Sequence, residues 1–163
     1  MLRFTEIHEA PAGTLASMLK QAYAAMLVDA SAAWAMESKR WDEFDRAAFT
    51  VPEIGRSTFL SWHDQELVGF GSFDPRGAPR RARIGHNCIL PVYRGRGYGS
   101  AQLREILRRL EALGVTQVDA FTLEVGFFVP AQRMYATAGF ELLARAPWKT
   151  DANIFVLHFQ KNT

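Results

Sequence analysis

Ile89-Leu90-Pro91-Val92-Tyr93-Arg94-Gly95-Arg96-Gly97-Tyr98-Gly99 decides how this chain is read. A strand predicted over about Ala82 to Leu90 runs into it. The stretch precedes Leu103, Ile106, Leu107, Leu110 and Leu113, which recur at amphipathic-helix spacing and stop at Gly114. Glycine reaches positive φ and carries no side chain, so three alternating glycines let successive backbone N–H groups point into one concavity. The helix that starts here adds its unpaired first-turn N–H groups and the positive end of its dipole. Together these predict an anion site of the size of a pyrophosphate, with Arg94 and Arg96 adding charge. A tight strand-to-helix turn without a ligand has the same local pattern. A P-loop is excluded, because Gly99-Ser100 lacks the lysine that such a loop needs, and a dinucleotide fingerprint would need glycine where Ser100 stands.

Working outward, Leu2 and Phe4 predict a short opening strand. Ala10-Pro11-Ala12-Gly13 breaks it, and Thr14 is placed to cap a helix whose buried face carries Leu15, Met18, Leu19, Ala22, Tyr23 and Met26. A second, less regular helix is predicted over about Ala32 to Phe49. Ser57–Trp62 and Leu67–Phe73 predict a hairpin about the polar turn His63-Asp64-Gln65-Glu66. Beyond the central helix, Thr116–Val125 reads as a strand and Pro130–Ala138 as a short helix with proline in its first turn. Phe140–Leu143 and Ile154–Phe159 read as strands. The expected fold is α/β (α+β): one mixed, mostly antiparallel sheet of about seven strands with flanking helices.

The 163 residues fit one domain, 1–163, with 48% hydrophobic and 22% charged residues. Disorder, collagen-like repetition and a disulfide scaffold are excluded, since Cys88 is the only cysteine and points to a reducing, cytoplasmic setting. The longest apolar stretch, Ala22 to Val28, is far short of the roughly 20 residues that span a bilayer, so no membrane association is expected. The net charge of +2 hides an uneven distribution. Residues 1–66 hold ten acidic and six basic side chains, whereas residues 76–109 hold nine arginines against Glu105.

The chain resembles the GNAT superfamily of acyl-CoA N-acyltransferases. Its signature, apolar-x-Pro-x-x-Arg-Gly-x-Gly-x-Gly/Ala, is filled by Ile89, Pro91, Arg94, Gly95, Gly97 and Gly99. A second signature is similar to Ala131-x-x-x-Tyr135-x-x-x-Gly139-Phe140, and the order of elements matches over nearly the whole chain. The resemblance implies acetyl-CoA, with no metal, bound in a notch where strands 4 and 5 splay apart. It implies that the backbone of Arg94, Gly95, Arg96, Gly97, Tyr98, Gly99 and Ser100 holds the pyrophosphate. Backbone groups of Ile89 and Leu90 would pair with the pantetheine and polarise the thioester carbonyl. The acyl group passes directly to a primary amine of a small molecule or peptide, so Cys88 need not react. A homodimer is a further implication.

By the same resemblance Tyr135 is the acid that protonates the departing thiolate; a packed aromatic on an amphipathic helix is the structural alternative. His86 and Glu124, each near the expected splay, are the candidate bases, against a hydrogen-bonded structural histidine and a surface glutamate. Asn87 either orients a neighbour or bonds to backbone. Many relatives carry asparagine seven residues before the tyrosine; here Phe128 stands there. Trp34, Glu37 and Trp41, with Asp42, Glu43 and Asp45 nearby, form a candidate aromatic-acidic acceptor region. The alternative is an acidic solvated face with two inward tryptophans. Two other functions compete: a CoA-binding regulatory module that has lost turnover, and nucleic-acid binding through the arginines. The arginine block coincides with the turn expected to hold the cofactor phosphates and has no nucleic-acid motif beside it, so no nucleic-acid partner is expected.

Overall fold

A computed structural model describes residues 1–28 and 32–163. The strands are β1 (Leu2–Glu6), β2 (Thr58–His63), β3 (Glu66–Asp74), β4 (Ala82–Ile89), β5 (Gln117–Leu123), β6 (Glu141–Pro147) and β7 (Phe155–Asn162). The helices are α1 (Thr14–Ala22), α2 (Ala24–Leu27), α3 (Ala32–Thr50), α4 (Pro52–Arg56), α5 (Tyr98–Ala112) and α6 (Val129–Thr137). The strands hydrogen-bond in the order β1-β2-β3-β4-β5-β7-β6, a seven-stranded mixed sheet as the sequence predicts. Contacts group into two units, Met1–Ser72 with His86–Leu103, and Phe73–Gly85 with Arg104–Thr163.

In the first unit, β1 and β2 pair antiparallel, Phe4 with Ser61, and β2 pairs antiparallel with β3 about a turn at Asp64, whose φ is 55°. Ile7, Leu15, Leu19, Phe59, Leu60, Val68, Phe70 and Leu103 are buried almost completely. Burial of that apolar area is the main stabilising term, at roughly 1.5–3 kcal/mol for each large side chain. The predicted first helix is interrupted. Tyr23 leaves helical geometry at φ −106° and ψ 18°, which separates α1 from α2. Thr14 does not cap α1. Gly13 is the N-cap residue, and Asp45 from α3 replaces a local cap, accepting from the N–H of Gly13 at 2.7 Å and of Ala16 at 3.0 Å. Helix α4 has no counterpart in the sequence reading; Pro52 opens it, where a missing N–H costs nothing.

In the second unit, β4 and β5 pair in parallel at Ala82–Val118 and Arg83–Asp119, near the start of both strands. β7 lies between β5 and β6, antiparallel to each. Ile106, Leu110, Val118, Ala120, Tyr135, Phe140, Leu157 and Phe159 are buried. Leu113 is not part of this core: α5 ends at Ala112, and the side chain is exposed. No helix among the described residues is long and apolar enough to cross a membrane.

Candidate active site

The glycine-rich turn is built as its sequence requires. Gly95 and Gly97 have φ of 75° and 79°, values that any residue with a Cβ adopts only under strain. A Cβ placed on either glycine would meet nothing within 4 Å, so both face open space. Helix α5 starts at Tyr98, and the Ala101 N–H closes the first helical bond, to Gly97 O at 3.0 Å. The N–H groups of Tyr98, Gly99 and Ser100 precede it and have no carbonyl one turn back within the helix. The local geometry is that of an anion cradle at a helix N-terminus.

Arg94 has a different role from a free phosphate ligand. Its Nη2 donates to the Ala22 carbonyl at 2.7 Å, and its Nε donates to the Ile89 carbonyl at 3.3 Å. Ala22 ends α1, so the guanidinium satisfies a carbonyl left over by the break at Tyr23 and braces the turn. Arg96 lies over the Tyr93 ring at 5.7 Å. Tyr98 faces His63 of the hairpin, with ring centres 5.4 Å apart. Ile89 is buried, and its carbonyl is held by Arg94. The Leu90 N–H donates to Val68 O at 2.9 Å, and its carbonyl accepts from the Tyr93 N–H at 3.0 Å. That N–H is already committed to the sheet.

Behind the turn lies a polar group that sequence reasoning missed. Gln102 is fully buried in the second turn of α5. Its Nε2 donates to Phe70 O at 2.8 Å, to Asn87 Oδ1 at 2.5 Å and to Cys88 O at 3.3 Å. Its Oε1 accepts from Ser61 Oγ at 2.5 Å. Asn87 Nδ2 donates to Gly99 O at 3.1 Å. The available signal was Gln102 standing four residues before Ile106 and eight before Leu110. That places an amide in the buried stripe of an amphipathic helix, where every polar atom must be satisfied.

The candidate bases are constrained. The His86 ring packs against Phe44 (4.7 Å between ring centres) and Phe70 (5.8 Å), and the backbone N–H of His86 donates to Ser72 Oγ at 2.7 Å. Desolvation lowers the imidazole pKa to about 4, so the ring is neutral at neutral pH. Glu124 follows β5 at the surface, where its carboxylate accepts from Arg145 Nε at 2.6 Å. Cys88 is buried, and desolvation pushes its thiol up to about 12, so it is inert as a nucleophile near neutral pH.

Tyr135 belongs to the second unit. Its ring is buried, packed on Phe140 at 5.3 Å and Phe159 at 5.7 Å. Gly139, with φ 87°, ends α6 in the left-handed conformation, and the Phe140 N–H then donates to Tyr135 O at 3.0 Å. The Tyr135-x-x-x-Gly139-Phe140 pattern therefore has a local structural cause. Burial also raises the phenol above its usual pKa, which keeps it protonated. Phe127 and Phe128 meet edge-to-face at 5.1 Å in the turn before α6.

The acidic residues of α3 do not gather into one patch, because a step of 100° per residue spreads them around the helix. Asp45 points inward and caps α1, Asp42 accepts from Lys20 at 2.6 Å, and Glu37 pairs with Arg40. Trp34 and Trp41 are buried and stack on Tyr23, at 6.4 Å and 5.2 Å. Glu37 shares their stripe, three residues after one tryptophan and four before the other. Among the described residues, no group of three His, Cys, Asp or Glu side chains is arranged to hold a metal ion.

The family model for the acetyltransferase (GNAT) family matches residues 26–140, well over half of the chain. The chain belongs to the GNAT family. Members of this family use acetyl-CoA as acyl donor. No curated protein matches significantly by sequence, but solved structures agree in fold. A protein assigned as a GNAT acetyltransferase from Desulfovibrio desulfuricans superposes with a TM-score of 0.77 at 16% identity, covering 99% of this chain and 98% of its own. The Salmonella typhimurium protein yncA, assigned as an acetyltransferase and solved with acetyl-CoA, gives 0.67 at 17% identity, covering 99% and 92%. The ribosomal-protein-S18-alanine N-acetyltransferase of Escherichia coli gives 0.66 at 14%, covering 99% and 94%. Identities this low establish a shared fold. They do not establish a shared acceptor.

Proposed function

We propose that this GNAT protein transfers an acetyl group from acetyl-CoA to a primary amine of a small molecule or peptide, in the cytoplasm. The observation that carries this reading is the open cradle at the start of α5, where Gly95 and Gly97 take positive φ with free space above them. In this reading the backbone from Arg94 to Ser100 holds the pyrophosphate, aided by the dipole of α5. The amine nitrogen attacks the thioester carbonyl carbon, the C–S bond breaks, and the amide forms without an acyl-enzyme. The neutral phenol of Tyr135 donates its proton to the departing thiolate. Before the attack the acceptor's ammonium loses one proton to His86 or to Glu124, directly or through water, and the proton that the nitrogen sheds as the amide forms restores the phenol of Tyr135.

The acceptor is proposed to be cationic and drawn by Glu37, whose bond to Arg40 it would replace. CoA release measured against a panel of amines tests the whole reading. Turnover with at least one amine, lost in Tyr135→Phe, is the expected result. Tight CoA binding with no turnover across amines and acyl chain lengths would replace it with a CoA-binding regulatory module, to which the Phe128 substitution also points. His86→Gln and Glu124→Gln separate the bases: the true base is the one whose replacement lowers kcat at neutral pH while CoA affinity is unchanged.

A further inference from the structure

We infer that Asn87 and Gln102 are positioning residues for the phosphate cradle, acting through the backbone of the first turn of α5 without contacting ligand. The inference rests on the acyl-CoA reading of that turn. An N–H cradle is effective only if its donors are held in place before the anion arrives, because ordering them on binding subtracts from affinity. Gly95, Gly97 and Gly99 make this turn intrinsically loose, since glycine loses the most conformational freedom when fixed. Something outside the turn must hold it.

Two groups in the first unit do so. Asn87 Nδ2 bonds Gly99 O at 3.1 Å, and Gly99 is the second residue of α5, in the midst of the donor N–H groups. Asn87 itself is held from behind by Gln102 Nε2 at 2.5 Å. Gln102 is fixed in turn by Phe70 O, Cys88 O and Ser61 Oγ, which come from β3, β4 and β2. The chain of bonds runs from three adjacent strands, through the buried amide of Gln102 and the half-buried amide of Asn87, to one carbonyl of the cradle. A buried leucine at position 102 would fill the same stripe at lower risk, because a half-satisfied buried amide network is costly. An amide hub there suits orientation better than stabilisation. Arg94 braces the other end of the turn through Ala22 and Ile89. The glycine run is thus held at both ends while its middle stays open.

Two substitutions test this. Asn87→Asp replaces the donor to Gly99 O by a repelling oxygen while still accepting from Gln102. Gln102→Leu removes the hub. The readout is a pair of dissociation constants for each variant, CoA by calorimetry and pantetheine, which lacks the phosphates, by ligand-observed NMR. Misplacement of the cradle predicts that Kd for CoA rises about tenfold to a hundredfold, with pantetheine weakened by much less. If both ligands weaken by the same factor, the two amides serve general stability and the inference fails; it fails equally if neither ligand weakens. Should one variant not fold, as judged by circular dichroism, the other carries the same comparison. A wild-type chain that does not bind CoA overturns the acyl-CoA reading itself, and is recognised because the failure precedes any substitution.

Discussion

His86 should make this protein acid-sensitive in a defined window. In the unfolded chain the imidazole titrates near 6.5, and in the folded chain, against Phe44 and Phe70, near 4. A folded pKa below the unfolded one means that the unfolded state binds the proton first. The contribution of His86 is therefore complete above pH 6.5, declines as pH falls, and is fully lost below about 4. At about 1.4 kcal/mol per pKa unit, the whole shift is worth about 3 kcal/mol. Because the ring retains some exposure this is an upper bound. By pH 5 the linkage relation gives a loss of about 2 kcal/mol. Urea denaturation of wild type and His86→Gln at pH 7.5 and pH 5 isolates this term, since every other titrating group is common to both. The stability difference between them should move by about 2 kcal/mol in favour of the variant on acidification. Parallel loss of stability in the two proteins would refute the buried, neutral imidazole.

Gly97→Glu adds a carboxylate and a strained φ where the cradle opens; CoA binding should be lost while far-UV circular dichroism stays native-like. Tyr135→Phe should lower kcat by about a hundredfold or more and leave CoA affinity within a small factor, as kinetics with an accepted amine will show. Asp45→Ala strands two N–H groups at the start of α1 and should cost about 1–2 kcal/mol in urea denaturation, with Asp45→Asn costing less. Thr122 has the only buried side-chain N or O atom without a hydrogen-bond partner among the described residues. Thr122→Val should raise the stability of the ligand-free chain by about 1 kcal/mol.

The local pattern was legible where the cause is local. Strict alternation of glycines before a Leu103-Ile106-Leu110 stripe determines a strand-to-helix turn, and the structure contains it with the required positive φ. Gly139 after Tyr135 likewise ends a helix by its own backbone freedom. The seven strands follow from short apolar runs between turn residues, although β7 lying between β5 and β6 depends on long-range pairing that no local rule reveals.

Tertiary structure decided the remainder, because it sets what each polar group meets. Thr14 satisfies every local rule for a cap, yet a carboxylate thirty-two residues away along the chain takes the task, at Gly13. The Arg94 side chain by sequence only adds charge beside the turn; in the fold its guanidinium also braces backbone, since it finds the carbonyl freed where α1 breaks. His86 is by type a group that titrates near neutrality; two aromatic rings desolvate it and remove its charge. Sequence fixes which atoms can donate, accept or titrate, and helical and strand periods show which face they lie on. Their partners come from other elements, and those partners determine whether a donor is free for a ligand or already engaged.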